Sequence, residues 1–109
     1  MFGEGALAEV EIVAPSKVLG GLVSGKIDRL IVTPNRVQAV DFKTNANVPT
    51  RPEDTPIGLL RQMGAYFEAL EQLYPDRIVD VAILWTETCE LMVLPHGIVR
   101  KALVGATIS

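Results

Sequence analysis

The chain reads as an α/β protein with a mixed sheet, and three observations carry that reading. Short segments rich in Val and Ile alternate with turn residues over the first 44 positions. A helical repeat of apolar residues follows over roughly residues 55–74. After it comes an almost continuous apolar run, Ile78-Val-Asp-Val-Ala-Ile-Leu-Trp85, of the kind a buried central strand shows. At 109 residues the chain has the length of one domain.

In chain order, residues 6–13 (Ala-Leu-Ala-Glu-Val-Glu-Ile-Val) form a strand with Glu9 and Glu11 on one face. Residues 15–21 form a loop. Residues 23–32 and 37–44 make a hairpin about Pro34-Asn35, with a loop of two or four residues. Residues 45–56 hold three prolines and read as a polar loop. The helix begins at Thr55 as N-cap with Pro56 in the first position, and stops before Pro75-Asp76. Leu59, Met63, Phe67 and Leu70 recur at helical spacing and face the sheet. A turn around Thr88-Cys89-Glu90 leads to a short strand at 91–94, and residues 95–104 form a terminal helix or a frayed end.

Composition narrows the function. Hydrophobic residues make up 49% and mean hydropathy is +0.30, which excludes disorder. The excess of apolar side chains over what a small free-standing domain needs points to surface covered by a larger polypeptide. Net charge is −3, with no basic footprint for strong autonomous DNA binding. The single cysteine, Cys89, rules out an internal disulfide and any multi-cysteine metal site. No leader pattern and no apolar run near 18 residues is present, so the expectation is a cytoplasmic protein without membrane partners.

The hairpin concentrates the chemistry. Asp41 and Lys43 are two apart in a strand and share a face. The register set by Pro34-Asn35 places Asp28 directly opposite Asp41, and Lys26 opposite Lys43. Like charges at a Cβ separation of roughly 4.5–5.5 Å repel, and a divalent cation such as Mg²⁺ or Mn²⁺ would explain them. Asp28 and Asp41 would supply hard oxygen ligands, with the Phe42 backbone carbonyl as a further one. Lys43 would hold the attacking water or neutralise charge developing in phosphodiester hydrolysis. Carboxylate neighbours favour protonated lysine, which weights the electrostatic role. The bland reading is a solvated salt-bridge cluster on a sheet face. Trp85 reads as core, His96 as an exposed terminal histidine, and Arg51 and Arg61 as solvated surface able to reach a phosphate.

The ordered set Gly25-x-x-Asp28, Asp41-x-Lys43-Thr44-Asn45 and Gln62-x-x-x-Tyr66 resembles the RecB-type branch of the PD-(D/E)xK nucleases. Within it, Gly25-Lys-Ile-Asp28-Arg-Leu, Val40-Asp-Phe-Lys43-Thr-Asn45, Leu60-Arg-Gln62-Met and Leu84-Trp85-Thr86 resemble the C-terminal nuclease domain of AddA-type helicase–nucleases. The resemblance implies a restriction-endonuclease-like core, a mixed central sheet flanked by helices, cutting DNA strands with magnesium. By position, Asp28 and Asp41 match the metal ligands and Lys43 the catalytic lysine. Gln62, Tyr66 and Thr44 fall where substrate is contacted, and Gln62 and Tyr66 share a helix face. Glu9 is the best match for an upstream acidic ligand, with Glu11 as competitor. The implied setting is a single nuclease domain over residues 1–109, the C-terminal fragment of a larger bacterial helicase–nuclease acting at double-strand breaks. Its partners would be DNA, a helicase domain of the same parent chain and an AddB-type subunit. ATP would serve only the parent's motor, because no Walker-type Gly-Lys-Ser/Thr occurs here. The alternatives are an inactive nuclease-fold structural or DNA-binding module, and a stand-alone RecB-like nuclease.

Overall fold

A computed structural model describes residues 6–17, 19–44 and 48–105. Five strands form one mixed sheet in chain order: β1 (Ala6–Ser16), β2 (Gly21–Val32), β3 (Arg36–Lys43), β4 (Ile78–Trp85) and β5 (Glu90–Leu94). Neighbours run antiparallel except β3 and β4, which are parallel. Parallel neighbours need a crossover, and the 34 residues between Lys43 and Ile78 provide it with a 3₁₀ turn (Pro52–Asp54) and helix α1 (Ile57–Leu73). Helix α2 (His96–Gly105) follows β5 and packs on α1. The α/β class, the mixed sheet and the flanking helices are as expected. Among the described residues no helix is long and apolar enough to cross a membrane.

The core lies between the sheet and α1. Ile12, Ala14, Ile27, Val37, Ala39, Val81, Ile83 and Trp85 meet Leu60, Met63, Phe67 and Leu70 there, all buried. Leu59 is only partly buried, so the helical stripe centres on Leu60 instead. The helices approach closely at Gly64, where a Cβ would lie 2.4 Å from the Val99 carbonyl oxygen.

Several boundaries move, each for a physical reason. β1 continues through Pro15 and Ser16, which pair with Leu22 and Gly21, so the 15–21 loop shrinks to a turn. Proline is tolerated because β1 is an edge strand. Gly20 closes that turn at φ +80°, in the left-handed region that glycine favours, and its N–H donates to the Ser16 carbonyl. The N-cap falls on Pro56, and no side chain caps the helix. Thr55 instead ends the 3₁₀ turn, is 4% exposed, and donates its hydroxyl to the Met92 sulfur at 3.7 Å. His96 is half-buried against Phe67, with Nε2 3.0 Å from Asp80 Oδ1, so it is neither terminal nor solitary.

Candidate active site

The hairpin closes as the sequence predicts. Thr33 N–H donates to the Arg36 carbonyl, the Arg36 N–H donates to the Thr33 hydroxyl, and Pro34-Asn35 is the loop. The ladder then pairs Val32 with Val37, Ile31 with Gln38, Leu30 with Ala39 and Arg29 with Val40. At that point it ends. Asp28 stands in line with Asp41 but makes no backbone pair with it. Its Oδ2 instead accepts the Phe42 N–H at 2.8 Å, taking the place of a ladder carbonyl.

The strands part because β1 and β2 both break at this level. Their ladder pairs Ala8 with Arg29 and Val10 with Ile27 but omits Glu9 and Asp28 between them. Glu9 has φ +54°, which is uncommon for a residue with a Cβ. Burial along β2 shifts phase across the break: Ile27 faces α1 before it, and Leu30 is buried after it. Such an interruption re-aims side chains beside functional sites. It also overturns one expectation. Lys26 lies between two residues facing α1, Gly25 and Ile27, so it points away from the helix. It therefore does not face Lys43.

Asp41 stands on the helix-facing side of β3, 4% exposed, next to Ile83 of β4. Lys43 Nζ lies 3.2 Å from Asp41 Oδ2. That ammonium is the close partner of the buried oxygen, and no better-aligned hydrogen bond reaches it. Burial pushes the Asp41 carboxyl above the usual aspartate range; Lys43 pulls it down and the neighbouring Asp28 carboxyl adds to the rise. A buried carboxylate beside a second carboxylate, with one ammonium at its edge, has the chemistry of a hard-cation ligand.

The Phe42 N–H points to the β2 side, and in an extended strand its carbonyl leaves by the same edge, into the gap where β2 has left the ladder. The Lys43 carbonyl faces the other way. It accepts from the Thr86 N–H at 2.9 Å and the Thr86 hydroxyl at 3.1 Å. Thr44 is exposed and its hydroxyl meets that of Thr86 at 2.7 Å. Thr86 thus clamps the backbone at Lys43, a role sequence reasoning missed; the signal available was its position after the apolar run that lies beside β3. Asn45 lies outside the described residues.

Gln62 and Tyr66 form a brace. Tyr66 is 5% exposed, and its hydroxyl donates to the Lys26 carbonyl at 3.0 Å while accepting from Gln62 Nε2 at 2.9 Å. Its ring stands over Gly25, where a Cβ would come within 2.6 Å of Cε1. Both side chains therefore hold β2 two residues before Asp28. Glu9 is exposed at the register level of Asp28. Among the described residues no three His, Cys, Asp or Glu side chains gather to hold an ion. Arg51 is engaged with Glu53 and Asp54, and Arg61 with the Ala102 carbonyl.

A mixed α/β sheet with a carboxylate pair and a lysine where two strands part has the layout of a nuclease core. Comparison with known proteins agrees: a model of the PD-(D/E)XK nuclease superfamily matches residues 3–101, and the chain belongs to that superfamily. Membership points to a nuclease-type hydrolase. No curated protein matches the chain. Among the solved structures, SSO0001 matches over 94% of this chain with a TM-score of 0.54 and 20% identity, a likeness of fold. The chain spans 49% of that protein's length.

Proposed function

We propose that the chain is a DNA nuclease domain that hydrolyses phosphodiester bonds with a divalent cation, Mg²⁺ or Mn²⁺. The observation that carries this reading is the Asp41 carboxylate: buried, with the Asp28 carboxylate and the Lys43 ammonium beside it. Asp41, Asp28 and the Phe42 carbonyl would hold the cation, a donor set suited to an ion that keeps several waters. When bound, the cation would polarise the phosphoryl oxygens and lower the pKa of a water. Lys43, 36% exposed in its side chain, can reach a phosphate at the mouth of the site while staying paired with Asp41. Its charge would stabilise the negative charge that grows on the phosphoryl group. Tyr66 and Gln62 fix β2 so that Asp28 is presented at the gap, and Thr86 fixes the backbone at Lys43.

In its setting, the domain works as the exonuclease part of an AddA-type helicase–nuclease in the bacterial cytoplasm. A motor elsewhere in the parent protein and an AddB-type partner would deliver single strands during double-strand break processing and homologous recombination. The motif residues support that setting: Gly25 through Leu30, Val40 through Lys43, Leu60 through Met63 and Leu84 through Thr86. A second reading, a nuclease-fold module without turnover, has one observation in its favour: Asp28 already accepts the Phe42 N–H with one oxygen.

The test is cleavage of labelled single-stranded DNA across a Mg²⁺ or Mn²⁺ titration, comparing the parent chain with Asp41→Ala and Lys43→Ala. Metal-dependent cutting that both variants abolish is the expected result. Cutting that survives in both would overturn the site. A parent chain that binds the metal without cutting would favour the module reading.

A further inference from the structure

The sheet has a bare face. Helix α1 packs on one side and α2 packs on α1, so among the described residues no helix lies on the other. That outer face is apolar where it crosses β3, β4 and β5. Register aligns two rows there: Val40, Ala82 and Val93 in one, Phe42, Leu84 and Leu91 in the next. Asp41 and Ile83 face α1, so their strand neighbours in both rows point outward. Phe42, Leu91 and Val93 are 42%, 52% and 48% exposed. A sheet face left to water normally sets polar residues there, whereas a strand apolar almost throughout, as β4 is, belongs to the kind buried on both faces. The sequence of β4 is made for a second layer that the described residues do not supply.

Shape and charge select that layer. The apolar strip is three strands wide, about 10 Å from β3 to β5 at the usual strand spacing, and one α-helix with its side chains is about 10–12 Å across. Ala82 sits at the centre, 0% exposed between the larger Val40 and Val93, so the row dips there and can take one bulky anchor. The border on β2 is basic. Lys26 and Arg29 are three apart and would face opposite ways in a regular strand. The break at Asp28 puts both on the outer face: Lys26 lies between Gly25 and Ile27, which face α1, and Arg29 is the register partner of Val40. Both are exposed, and neither has an ion-pair partner among the described residues. Glu11 stands opposite Lys26 in the β1–β2 register without pairing to it. The two cations are about 10 Å apart along the strand, close to the rise of seven helical residues.

We propose that this outer face docks an amphipathic helix of a partner protein, its apolar stripe seated on the two rows and its carboxylates paired with Lys26 and Arg29. Such a helix presents anchors at i, i+3, i+4 and i+7, and acidic residues seven apart along the border of the stripe meet the two cations. A second copy of this chain suits the face less well. Two sheets stacked β2 on β2 would set Lys26 and Arg29 against their own copies, and like charges juxtaposed across an interface are costly. Turned instead about β4, β2 would lie beyond the edge strand β5 of the other copy and leave both cations unpaired. The surface lies behind the nuclease site, because Phe42 faces outward between Asp41 and Lys43, so a docked helix leaves that site uncovered. The docking does not depend on the nuclease reading.

The experiment uses the full chain and a fluorescein-labelled helical peptide of Leu and Ala, with Glu seven apart on the border of its Leu stripe. Fluorescence anisotropy should show saturable binding. A peptide with Lys at the two border positions should bind roughly fivefold more weakly, as two exposed ion pairs allow. Leu91→Glu should weaken the Glu-bordered peptide at least about tenfold, because it sets a charge under the apolar stripe. Lys26→Glu combined with Arg29→Glu should reverse the order of the two peptides. All of these side chains are exposed, and circular dichroism checks that each variant folds. If Leu91→Glu does not fold, Val93→Glu makes the same test. Binding that ignores both the border charge and Leu91→Glu, or no binding up to millimolar peptide, would overturn the proposal. A dimer in sedimentation that Leu91→Glu dissolves would overturn it in favour of a second copy. Binding to phosphatidylserine vesicles that Leu91→Glu abolishes, with the peptide unbound, would overturn it in favour of a membrane surface. None of these measurements reads cleavage, so the nuclease reading stands or falls separately.

Discussion

Gly25→Ala is the sharpest probe of how the fold holds the site. The added Cβ would lie 2.6 Å from Tyr66 Cε1, 3.0 Å from its hydroxyl and 3.2 Å from Cζ, where ordinary contact begins at 3.4 Å. Ring and strand must therefore separate by about 0.8 Å, a distance found by comparing 2.6 Å with 3.4 Å. Tyr66 has little room to yield, being buried in the core and hydrogen-bonded at both Gln62 and Lys26. Overpacking of this kind costs roughly 1–3 kcal/mol, and loss of the hydroxyl's bond to Lys26 adds about 1 kcal/mol. For a chain of this length the melting temperature should drop by about 8–16 °C, measured by circular dichroism. Cleavage at a temperature where the variant stays folded should drop by up to about 10²-fold, because Asp28 is carried on the displaced strand. Adding Tyr66→Leu, which vacates the space over residue 25, should recover part of the loss of stability in a double-mutant cycle. A Gly25→Ala chain that melts within about 2 °C of the parent and cuts at the parent rate would refute the brace.

Other perturbations test the remaining contacts. Asp41 has its carboxyl raised mainly by burial, so the folded chain holds that proton more firmly than the unfolded chain. The stability this contributes is full below the unfolded value near 3.8 and is lost as pH rises through the raised folded value. In chelator, Asp41→Asn should therefore melt above the parent at neutral pH, and the gap should close as pH falls toward 3.8, read from paired melts across that range. Added Mg²⁺ or Mn²⁺ should raise the melting temperature of the parent and not that of Asp41→Asn. Thr86→Val removes the hydroxyl that donates to the Lys43 carbonyl and should cost about 0.5–1.5 kcal/mol. In that variant kcat should fall with little change in KM, and Thr86→Ser should restore it. If Thr86→Val and Thr86→Ser behave alike, the clamp on Lys43 has no role.

The sequence by itself determined the class of fold and the membership of the site. Pro34-Asn35 located the turn, and a loop of either two or four residues there gives the β2–β3 register seen from the turn to Arg29 and Val40. The apolar run at 78–85 read as a buried central strand, and the 3.6-residue repeat placed Met63, Phe67 and Leu70 on the core face of α1. Those are local rules, written in spacing and side-chain shape. Tertiary structure decided what the residues do at that place. Extending the hairpin register puts Asp28 opposite Asp41 and Lys26 opposite Lys43, yet the ladder stops one pair short. The break is not a property of β2 alone: it sits where Glu9 of β1 takes a positive φ and where Tyr66 presses on Gly25 from α1. In the same way Gln62 and Tyr66 were legible as a pair four apart, while their commitment to the Lys26 carbonyl depends on the height at which α1 crosses β2. Burial of Asp41 and the clamp of Thr86 on Lys43 both arise between strands far apart in sequence, where pairing energy and packing are set by contacts that no local pattern records.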